Sequence, residues 1–262
     1  MTASEFSGRH VLVTGAGSGI GAAIARAFAA QGARVSLAGR RRAPLEEVAA
    51  TLPAGASLVL ADFDVTDAQA IAEGFGVARE KFGAIDILVN NAGDAPSAPF
   101  DKIDAAMWAH TIGVDLTGVF LVTQAAMPDL RKRGAGARIV NIASTAGLKG
   151  YAYVAAYCAA KHGVIGLTRA LALELARTGI TVNAICPGFA DTPLVQRSVE
   201  AIVAKTGRTA EDARRELAKN NPQGRLIDPQ EVADATLWLA SSAAHSVTGQ
   251  AIAIAGGEVM AG

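Results

Sequence analysis

The sequence predicts an α/β fold in which helices cover both faces of a doubly wound, seven-stranded parallel sheet. Short apolar runs typical of buried strands alternate with segments of helical pattern along most of the 262 residues. Glycine or small polar residues follow several of these runs, as they do where parallel strands end in ligand-binding loops. No linker or change of composition divides the chain, so we expect a single domain over residues 1–262.

Composition restricts the class of protein and its partners. Hydrophobic residues make up 51% of the chain, enough for a sizeable core, but the apolar runs stop well short of the ~20 residues of a membrane span. The net charge is zero, without long blocks of one sign, which argues against nucleic acid or membrane partners. The segment MTASEFSGRH lacks the basic and apolar regions of a signal peptide. Cys158 and Cys186 lack metal-ligand spacing, so we expect reduced cysteines, no metal site and a cytoplasmic protein.

The first strand and helix, with the turn between them, predict a dinucleotide site. Residues 10–15 have the pattern of a buried strand and residues 20–31 that of an amphipathic helix. A glycine-rich turn lets the backbone approach a pyrophosphate, and the helix N-terminus supplies free N–H groups and partial positive charge. The glycines are spaced G-x-x-x-G-x-G rather than G-x-G-x-x-G. The predicted cofactor-binding residues of this turn are Gly15, Gly17, Ser18, Gly19, Ile20 and Gly21.

The second strand, residues 33–39, ends where a Rossmann-type fold places the adenosine ribose. An acidic residue there binds the ribose 2′-hydroxyl, whereas a guanidinium binds a 2′-phosphate. This chain has Gly39 followed by three arginines. We assign Arg40 to the phosphate and expect Arg41 and Arg42 to face solvent. The sequence thus favours NADP(H), with NAD(H) as the alternative.

The remaining chain continues the alternation of strands and helices. Further strands are predicted over residues 57–65, 85–93, 137–144, 181–188 and 249–257. Helices are predicted over residues 43–52, 67–82, 104–132 and 229–241, and another contains Tyr157 and continues to about Arg177. Pro128 is expected to kink the end of the long helix. Residues 189–225 interrupt the alternation with helical signals of their own and predict a flap.

Small and polar residues end several predicted strands. They are Asn91, Ala92 and Gly93 after one strand, Ser144 after the next, and Pro187 and Gly188 after the sixth. Ligands bind at the carboxyl ends of parallel strands. We therefore expect these residues beside the glycine-rich turn, around one site.

A serine, a tyrosine and a lysine form the candidate catalytic group. Tyr157 and Lys161 are four residues apart in a predicted helix and share one face. A phenol can exchange a proton with an alcohol or carbonyl oxygen if its pKa, ~10 when free, is lowered, and the charge of Lys161 is expected to lower it. Ser144 is expected to hydrogen-bond the same oxygen. The spacing Y-x-x-x-K is frequent by chance, and the surrounding motifs give it weight.

The chain resembles the short-chain dehydrogenase/reductase superfamily over essentially its whole length, in the motifs TGAGSGIG, NNAG, Ser144, YCAAK, CPG and the closing GG. The resemblance implies hydride transfer between NAD(P)(H) and a ketone or secondary alcohol. It implies that Tyr157 is the general acid/base, and that Lys161 lowers its pKa and holds the nicotinamide ribose. Ser144 would orient the substrate oxygen.

The resemblance also implies further contacts. The cofactor would be lined by Asn91, would meet Asp64 and Val65 at the adenine, and would meet Pro187, Gly188 and Thr192 at the nicotinamide carboxamide. A homotetramer packed through the long helices and the C-terminal strand is implied as well.

One position departs from the family pattern. Members usually have asparagine in a run like N-L-T-G-V-F, where it completes a catalytic tetrad, and this chain has Asp115. The main-chain carbonyl serves the family's water relay, so aspartate could preserve it. A carboxylate could also alter the pKa of Lys161, or Asp115 could be a helix-kink residue without a catalytic role.

Two subfamilies give competing indications of the substrate. The runs NIASTAG and KHGVIGLTRALALELARTGITVNAICPGF resemble bacterial polyketide and 3-oxoacyl-thioester ketoreductases. The flap run PLVQRSVEAIVAKTGRTAEDARREL resembles D-3-hydroxybutyrate dehydrogenases, which hold a free carboxylate through polar and cationic side chains.

At the corresponding places this chain has no cation but Ala95, Ala146, Val154 and Ser198. An unpaired carboxylate there would cost several kcal/mol. We therefore expect a neutral ketone or a 3-oxoacyl thioester, with Phe189 and Leu194 lining the substrate pocket. Oxidation of a small hydroxy acid is the alternative. A catalytically silent NADP(H)-binding protein is a third interpretation, against which the presence of both Tyr157 and Lys161 argues.

Overall fold

A computed structural model describes residues 4–260. The ends of the predicted domain, residues 1–3 and 261–262, lie outside the described residues. Seven parallel strands form one sheet in the order β3-β2-β1-β4-β5-β6-β7, which confirms the predicted class. The strands are β1 His10–Thr14, β2 Arg34–Ala38, β3 Ser57–Leu60, β4 Ile87–Asn90, β5 Arg138–Ile142, β6 Thr181–Pro187 and β7 Ala251–Ile254. The order reverses between β1 and β4, the switch point where such sheets bind ligands.

Helices connect the strands and cover both faces of the sheet. They are α1 Gly19–Ala30, α2 Arg42–Ala49, α3 Ala68–Phe82, α4 Ala105–Ile112, α5 Gly118–Arg133, α6 Ala155–Leu175, α7 Pro193–Thr206, α8 Ala210–Ala218 and α9 Pro229–Ala240. Side-chain caps fix several N-termini. Asp67 accepts from the backbone N–H of Gln69 and Ala70, and Asp228 forms a capping box with Glu231.

The core has two layers, one on each face of the sheet. In β1, Val11 and Val13 pack into the layer of α1 and α9, whereas Leu12 packs into the layer of α3 and α5. Because both faces are covered, successive strand residues are buried and the strands read as continuous apolar runs.

Three strands end three or more residues earlier than predicted, among them β7, which stops at Ile254 rather than residue 257. β3 stops at Leu60 rather than residue 65, and β4 stops at Asn90 rather than residue 93. After β3 the chain turns at Asp62, which has φ 58, a conformation that aspartate tolerates better than most residues. The apolar residues that follow, such as Phe63, are buried by loop packing instead of sheet pairing.

The long helix is irregular at Asp115, the position that one interpretation of the sequence takes as a helix-kink residue. The backbone is helical from residue 105 to residue 133, and Pro128 lies inside α5. The irregularity is a π-helical turn at Gly113–Thr117, between α4 and α5. Such turns widen the helix by one residue, and this one carries Asp115.

By length and composition, Ala105–Gly136 is also apolar enough to cross a membrane, with mean hydropathy 1.4. Within the fold its residues Val122, Ala126 and Leu130 are fully buried against the sheet layer. Burial in the core therefore accounts for these apolar residues of the helix.

The predicted flap, residues 189–225, contains α7 and α8. Val195 and Val199 of α7 pack with Ala213 of α8 in a small apolar cluster of their own. A β-bridge between Ala190 and Ile227 joins the two ends of the flap at the sheet edge.

Candidate active site

A cavity of about 1120 Å³ lies at the carboxyl ends of the strands. Its walls come from the loops after β1 to β6 and from the flap. Every predicted cofactor and substrate residue except Gly21 lines it, as do Ser144, Tyr157 and Lys161. Asp115 lies behind the wall. The cavity therefore brings together residues that are widely separated in the sequence.

The turn after β1 has the geometry of an anion-binding turn. The Ser18 side chain makes no capping hydrogen bond, and the first turn of α1 has no acidic residue, so the first N–H groups of the helix remain available. Gly15 and Gly19 have φ +65° and +53°. A Cβ on Gly19 would stand 3.0 Å from Cγ2 of Thr192. The bare backbone and free N–H groups fit the pyrophosphate of a dinucleotide.

Two residues hold this turn in place. The Asn91 side-chain amide donates hydrogen bonds to the carbonyls of Thr14 (2.9 Å) and Gly15 (3.2 Å). A Cβ on Gly21 would stand 2.3 Å from the Gly15 carbonyl oxygen. Gly21, predicted to bind cofactor, thus allows α1 to pack against the turn instead of lining the cavity. Asn91 lines the cavity, and its hydrogen bonds hold the turn after β1 in place.

The arginines after β2 stand at one end of the cavity. Arg40 and Arg41 both line it, and Arg41 is exposed to solvent as expected. Arg42 instead forms an exposed ion pair with Glu46 at 3.6 Å. Burial raises the pKa of Asp64, but hydrogen bonds from Thr66 and the charge of Arg40 outweigh it and lower this pKa. This end of the cavity is suited to an anion.

Lys161 and Tyr157 lie side by side, as their spacing predicts. The Lys161 Nζ is 5.4 Å from the centroid of the Tyr157 ring, and it donates a hydrogen bond to the Ile142 carbonyl at 3.2 Å. Ser144 Oγ accepts from the Ala146 N–H at 3.1 Å, which leaves its proton free to donate. The hydroxyls of Ser144 and Tyr157 can bind one substrate oxygen and exchange a proton with it, beside the charge of Lys161.

Asp115 forms a buried ion pair with Lys161. Its Oδ1 lies 3.2 Å from Nζ, and the two side chains are 0% and 4% exposed. Oδ2 accepts from the Asp94 backbone N–H at 3.3 Å. A Cβ on Gly93 would stand 2.6 Å from Oδ1, so only glycine fits beside the carboxylate. Asp115 therefore acts on the site through Lys161.

These charges set the proton affinities of the site. Burial raises the pKa of Tyr157, and Asp115 raises it further, while Lys161 and Ser144 lower it. The charge of Lys161 thus acts to lower this pKa, while burial opposes it and leaves the pKa raised. Burial lowers the pKa of Lys161, but Asp115 and Tyr157 outweigh it and raise this pKa, so the lysine keeps its charge. Burial raises the pKa of Asp115 against the influence of Lys161.

The structure adds residues that sequence patterns did not single out. Asp94, after the NNAG motif, pairs with Arg197 of the flap at 3.1 Å, and both line the cavity. Tyr151 also lines it, and its hydroxyl donates to Glu258 from the C-terminal segment. The position of Asp94 after a strand was a usable signal. The sequence held no comparable signal for Glu258, because 107 residues separate it from Tyr151.

Known proteins are similar to this chain in both sequence and fold. Residues 9–202 match the family described as short chain dehydrogenase. The chain belongs to the short-chain dehydrogenase family. The motifs, the sheet order and the cavity agree with that membership, and relatives in the family are named dehydrogenases and reductases acting on hydroxyl or keto groups. The protein is therefore an oxidoreductase of this family.

Individual relatives cover nearly the whole chain. A D-beta-hydroxybutyrate dehydrogenase from Cupriavidus necator is 41% identical over 93% of this chain and 95% of its own. A cis-4-hydroxycyclohexanecarboxylate dehydrogenase from Sinomonas cyclohexanicum is 43% identical over 96% and 97%. A solved actinorhodin polyketide ketoreductase with NADPH superposes with a TM-score of 0.90 at 38% identity, over 98% of this chain and 99% of its own. These similarities confirm the short-chain dehydrogenase fold and the predicted resemblance to ketoreductases and hydroxybutyrate dehydrogenases.

Proposed function

We propose that the protein interconverts a ketone and the corresponding secondary alcohol with NADP(H), and that Tyr157 is the general acid/base. The observation that carries the proposal is the placement of Ser144, Tyr157 and Lys161 in the wall of the same cavity as the free N-terminus of α1 and Arg40. The proton-transfer groups and the predicted dinucleotide-binding residues thus line the same cavity.

The chemistry divides between cofactor and protein. A bound nicotinamide supplies or accepts the hydride at carbon. In reduction, Tyr157 gives its phenolic proton to the carbonyl oxygen and Lys161 stabilises the phenolate that remains; in oxidation both movements reverse. Ser144 donates a hydrogen bond to the same oxygen and orients it.

The walls of the cavity near Tyr157 favour a neutral carbonyl group. Ala95, Ala146, Val154 and Leu194 are apolar, and the cation Arg197 is already paired with Asp94. A 3-oxoacyl thioester, or a neutral ketone, avoids burying an unpaired carboxylate. The similarity to an actinorhodin polyketide ketoreductase supports this choice.

A hydroxy-acid dehydrogenase is the second candidate. It is favoured by the 41% identity to a D-beta-hydroxybutyrate dehydrogenase and by the presence of Arg197 in the cavity wall. Arg197 would have to exchange Asp94 for the substrate carboxylate. In that case Arg197→Ala removes turnover of acetoacetate, whereas turnover of a neutral ketone persists.

Initial rates with NADPH and NADH decide between these functions. The substrates are acetoacetyl-CoA, acetoacetate and cyclohexanone, each with the wild type and Tyr157→Phe. We expect oxidation of NADPH with the thioester or the neutral ketone, little with acetoacetate, and loss of turnover with retained NADPH binding in Tyr157→Phe. Efficient turnover of acetoacetate with NADH contradicts the substrate and cofactor assignments. Preserved turnover in Tyr157→Phe contradicts the mechanism, and binding without turnover of any carbonyl compound indicates a silent cofactor-binding protein.

A further inference from the structure

A buried carboxylate stands behind the wall of the substrate pocket. Glu258, four residues after β7, has a side chain that is 1% exposed. Its Oε1 accepts a hydrogen bond from the Tyr151 hydroxyl and lies 3.1 Å from Lys149 Nζ. Its Oε2 has no hydrogen-bond partner within residues 4–260, and a Cβ on Gly188 would stand 3.1 Å from it. Burying a carboxylate costs free energy unless it is paired, so its presence here calls for a role.

The carboxylate fixes the orientation of Tyr151. The hydroxyl lies 2.7 Å from Thr145 Oγ1 and also contacts Glu258. An ionised carboxylate only accepts, so the Tyr151 proton goes to Glu258 and the Thr145 hydroxyl donates to the Tyr151 oxygen. Burial and the hydrogen bond to Glu258 raise the pKa of Tyr151, so this tyrosine keeps the proton that it donates to the carboxylate. Its hydroxyl is engaged by Thr145 and Glu258, and Tyr151 lines the cavity.

The Tyr151 ring meets the Phe189 ring at a right angle. The centroids are 6.1 Å apart and the planes differ by 89°. Both residues line the cavity together with Ser144 and Tyr157. We call this pair of rings the aromatic corner. Two flat walls at a right angle offer more contact to a ring than to a flexible chain, and a ring loses less conformational freedom on binding.

We propose that Glu258 is a positioning residue that holds Tyr151 in the aromatic corner, and that the corner makes a cyclic ketone the preferred substrate class over an open-chain ketone of the same size. This inference rests on the proposed ketone–alcohol activity and names its substrate class. Lys149 supports the arrangement, because its ammonium pairs with Glu258 and lies 4.9 Å above the Tyr151 ring.

Matched six-carbon ketones test the proposal. With NADPH, kcat/KM is measured for cyclohexanone and 2-hexanone in the wild type and in Glu258→Gln, Tyr151→Phe and Tyr151→Leu. We expect the wild type to prefer the ring, and each variant to reduce that preference about three- to tenfold by raising KM for cyclohexanone. The KM for NADPH should stay unchanged. Glu174→Gln, which alters an exposed carboxylate paired with Arg131, is the matched control and should behave as the wild type.

The outcomes test the preference for a cyclic ketone separately from the proposed ketone–alcohol activity. A wild type that reduces both ketones without preferring the ring overturns the inference and leaves the proposed function intact. A ring preference that survives in all three variants also overturns it. Absence of turnover with any carbonyl compound contradicts the proposed function itself. Thermal unfolding and NADPH binding identify a misfolded variant, and Tyr151→Phe, which loses only a hydroxyl, keeps the test valid if Glu258→Gln does not fold.

Discussion

At the scale of single residues, Asp115 is where this chain differs most from its family pattern. A buried negative charge 3.2 Å from the Lys161 ammonium compensates the charge that would otherwise act on Tyr157. A neutral asparagine of the same shape would leave Lys161 to act on the phenol unopposed. Asp115 thus opposes the effect of Lys161 on the pKa of Tyr157.

We expect Asp115→Asn to lower the pKa of Tyr157, because it removes a negative charge that favours the protonated phenol. The sign follows from the charges, since Asp115 raises the pKa of Tyr157 and the variant removes that contribution. Alcohol oxidation needs the phenolate, so its acid limb should move to lower pH. The chain has three tyrosines, so ultraviolet titration of tyrosinate, with Tyr157→Phe as the reference, reports the shift without substrate. If the pKa of Tyr157 were unchanged or raised, the charge of Asp115 would not be what raises it in the wild type.

The proposed preference for NADP(H) rests on Arg40. Arg40→Ala should raise KM for NADPH about ten- to a hundredfold, because it removes a charge-assisted contact of about 1.5–3 kcal/mol, and should leave KM for NADH nearly unchanged. Arg42→Ala is the control, since Arg42 pairs with Glu46 at the surface and does not line the cavity. Equal effects of Arg40→Ala on both cofactors would refute the assignment.

At the scale of elements, the π-helical turn decides where Asp115 points. The turn lies between two glycines with ordinary helical φ, Gly113 (−56°) and Gly118 (−60°). Their surroundings differ. A Cβ on Gly118 would stand 2.7 Å from Cγ2 of Val65, whereas a Cβ on Gly113 would have no contact closer than 3.7 Å. The close approach of Gly118 lets the long helix pack against the loop after β3.

Alanine at the two positions should therefore have opposite effects. Gly118→Ala overpacks the contact with Val65 and should lower the free energy of unfolding by about 1–3 kcal/mol. Gly113→Ala should be neutral or should raise it by up to about 1 kcal/mol, because alanine favours helix over glycine. Urea denaturation measures both. Similar effects of the two substitutions would mean that packing against Val65 does not restrict Gly118.

At the scale of the whole molecule, several long-helix side chains are apolar and exposed. Leu173 of α6 is 82% exposed, and Trp108 and Phe120 are each 45% exposed. Exposed apolar side chains mark an interface where they form a contiguous patch, and these three are candidates for one. Their position on the long helices agrees with the homotetramer that the family resemblance implies.

We expect the wild type to be a tetramer in solution and Leu173→Glu to shift it to smaller species, because a charge would be buried at the interface. Light scattering coupled to size-exclusion chromatography measures the mass. Val77→Glu is the control, since Val77 is 49% exposed but lies on α3, outside the long helices. A wild-type monomer, or a tetramer unaffected by Leu173→Glu, would contradict this assembly.

The sequence by itself determined the fold class, the glycine-rich turn and the Ser144, Tyr157 and Lys161 group, because each depends on local periodicity or on short spacings. A four-residue spacing in a helix places two side chains together whatever the rest of the chain does. The carboxyl ends of parallel strands likewise meet at one edge.

Only the tertiary structure decided the remaining features of the site. The raised pKa of Tyr157 depends on the side chains and charges packed around it, which no spacing records. The place of Asp115 depends on a π-helical turn fitted to the loop after β3. The contact between Glu258 and Tyr151 joins residues 107 positions apart. Burial and long-range contacts arise from the packing of the whole chain, and so the proton affinities and the shape of the substrate pocket were settled there.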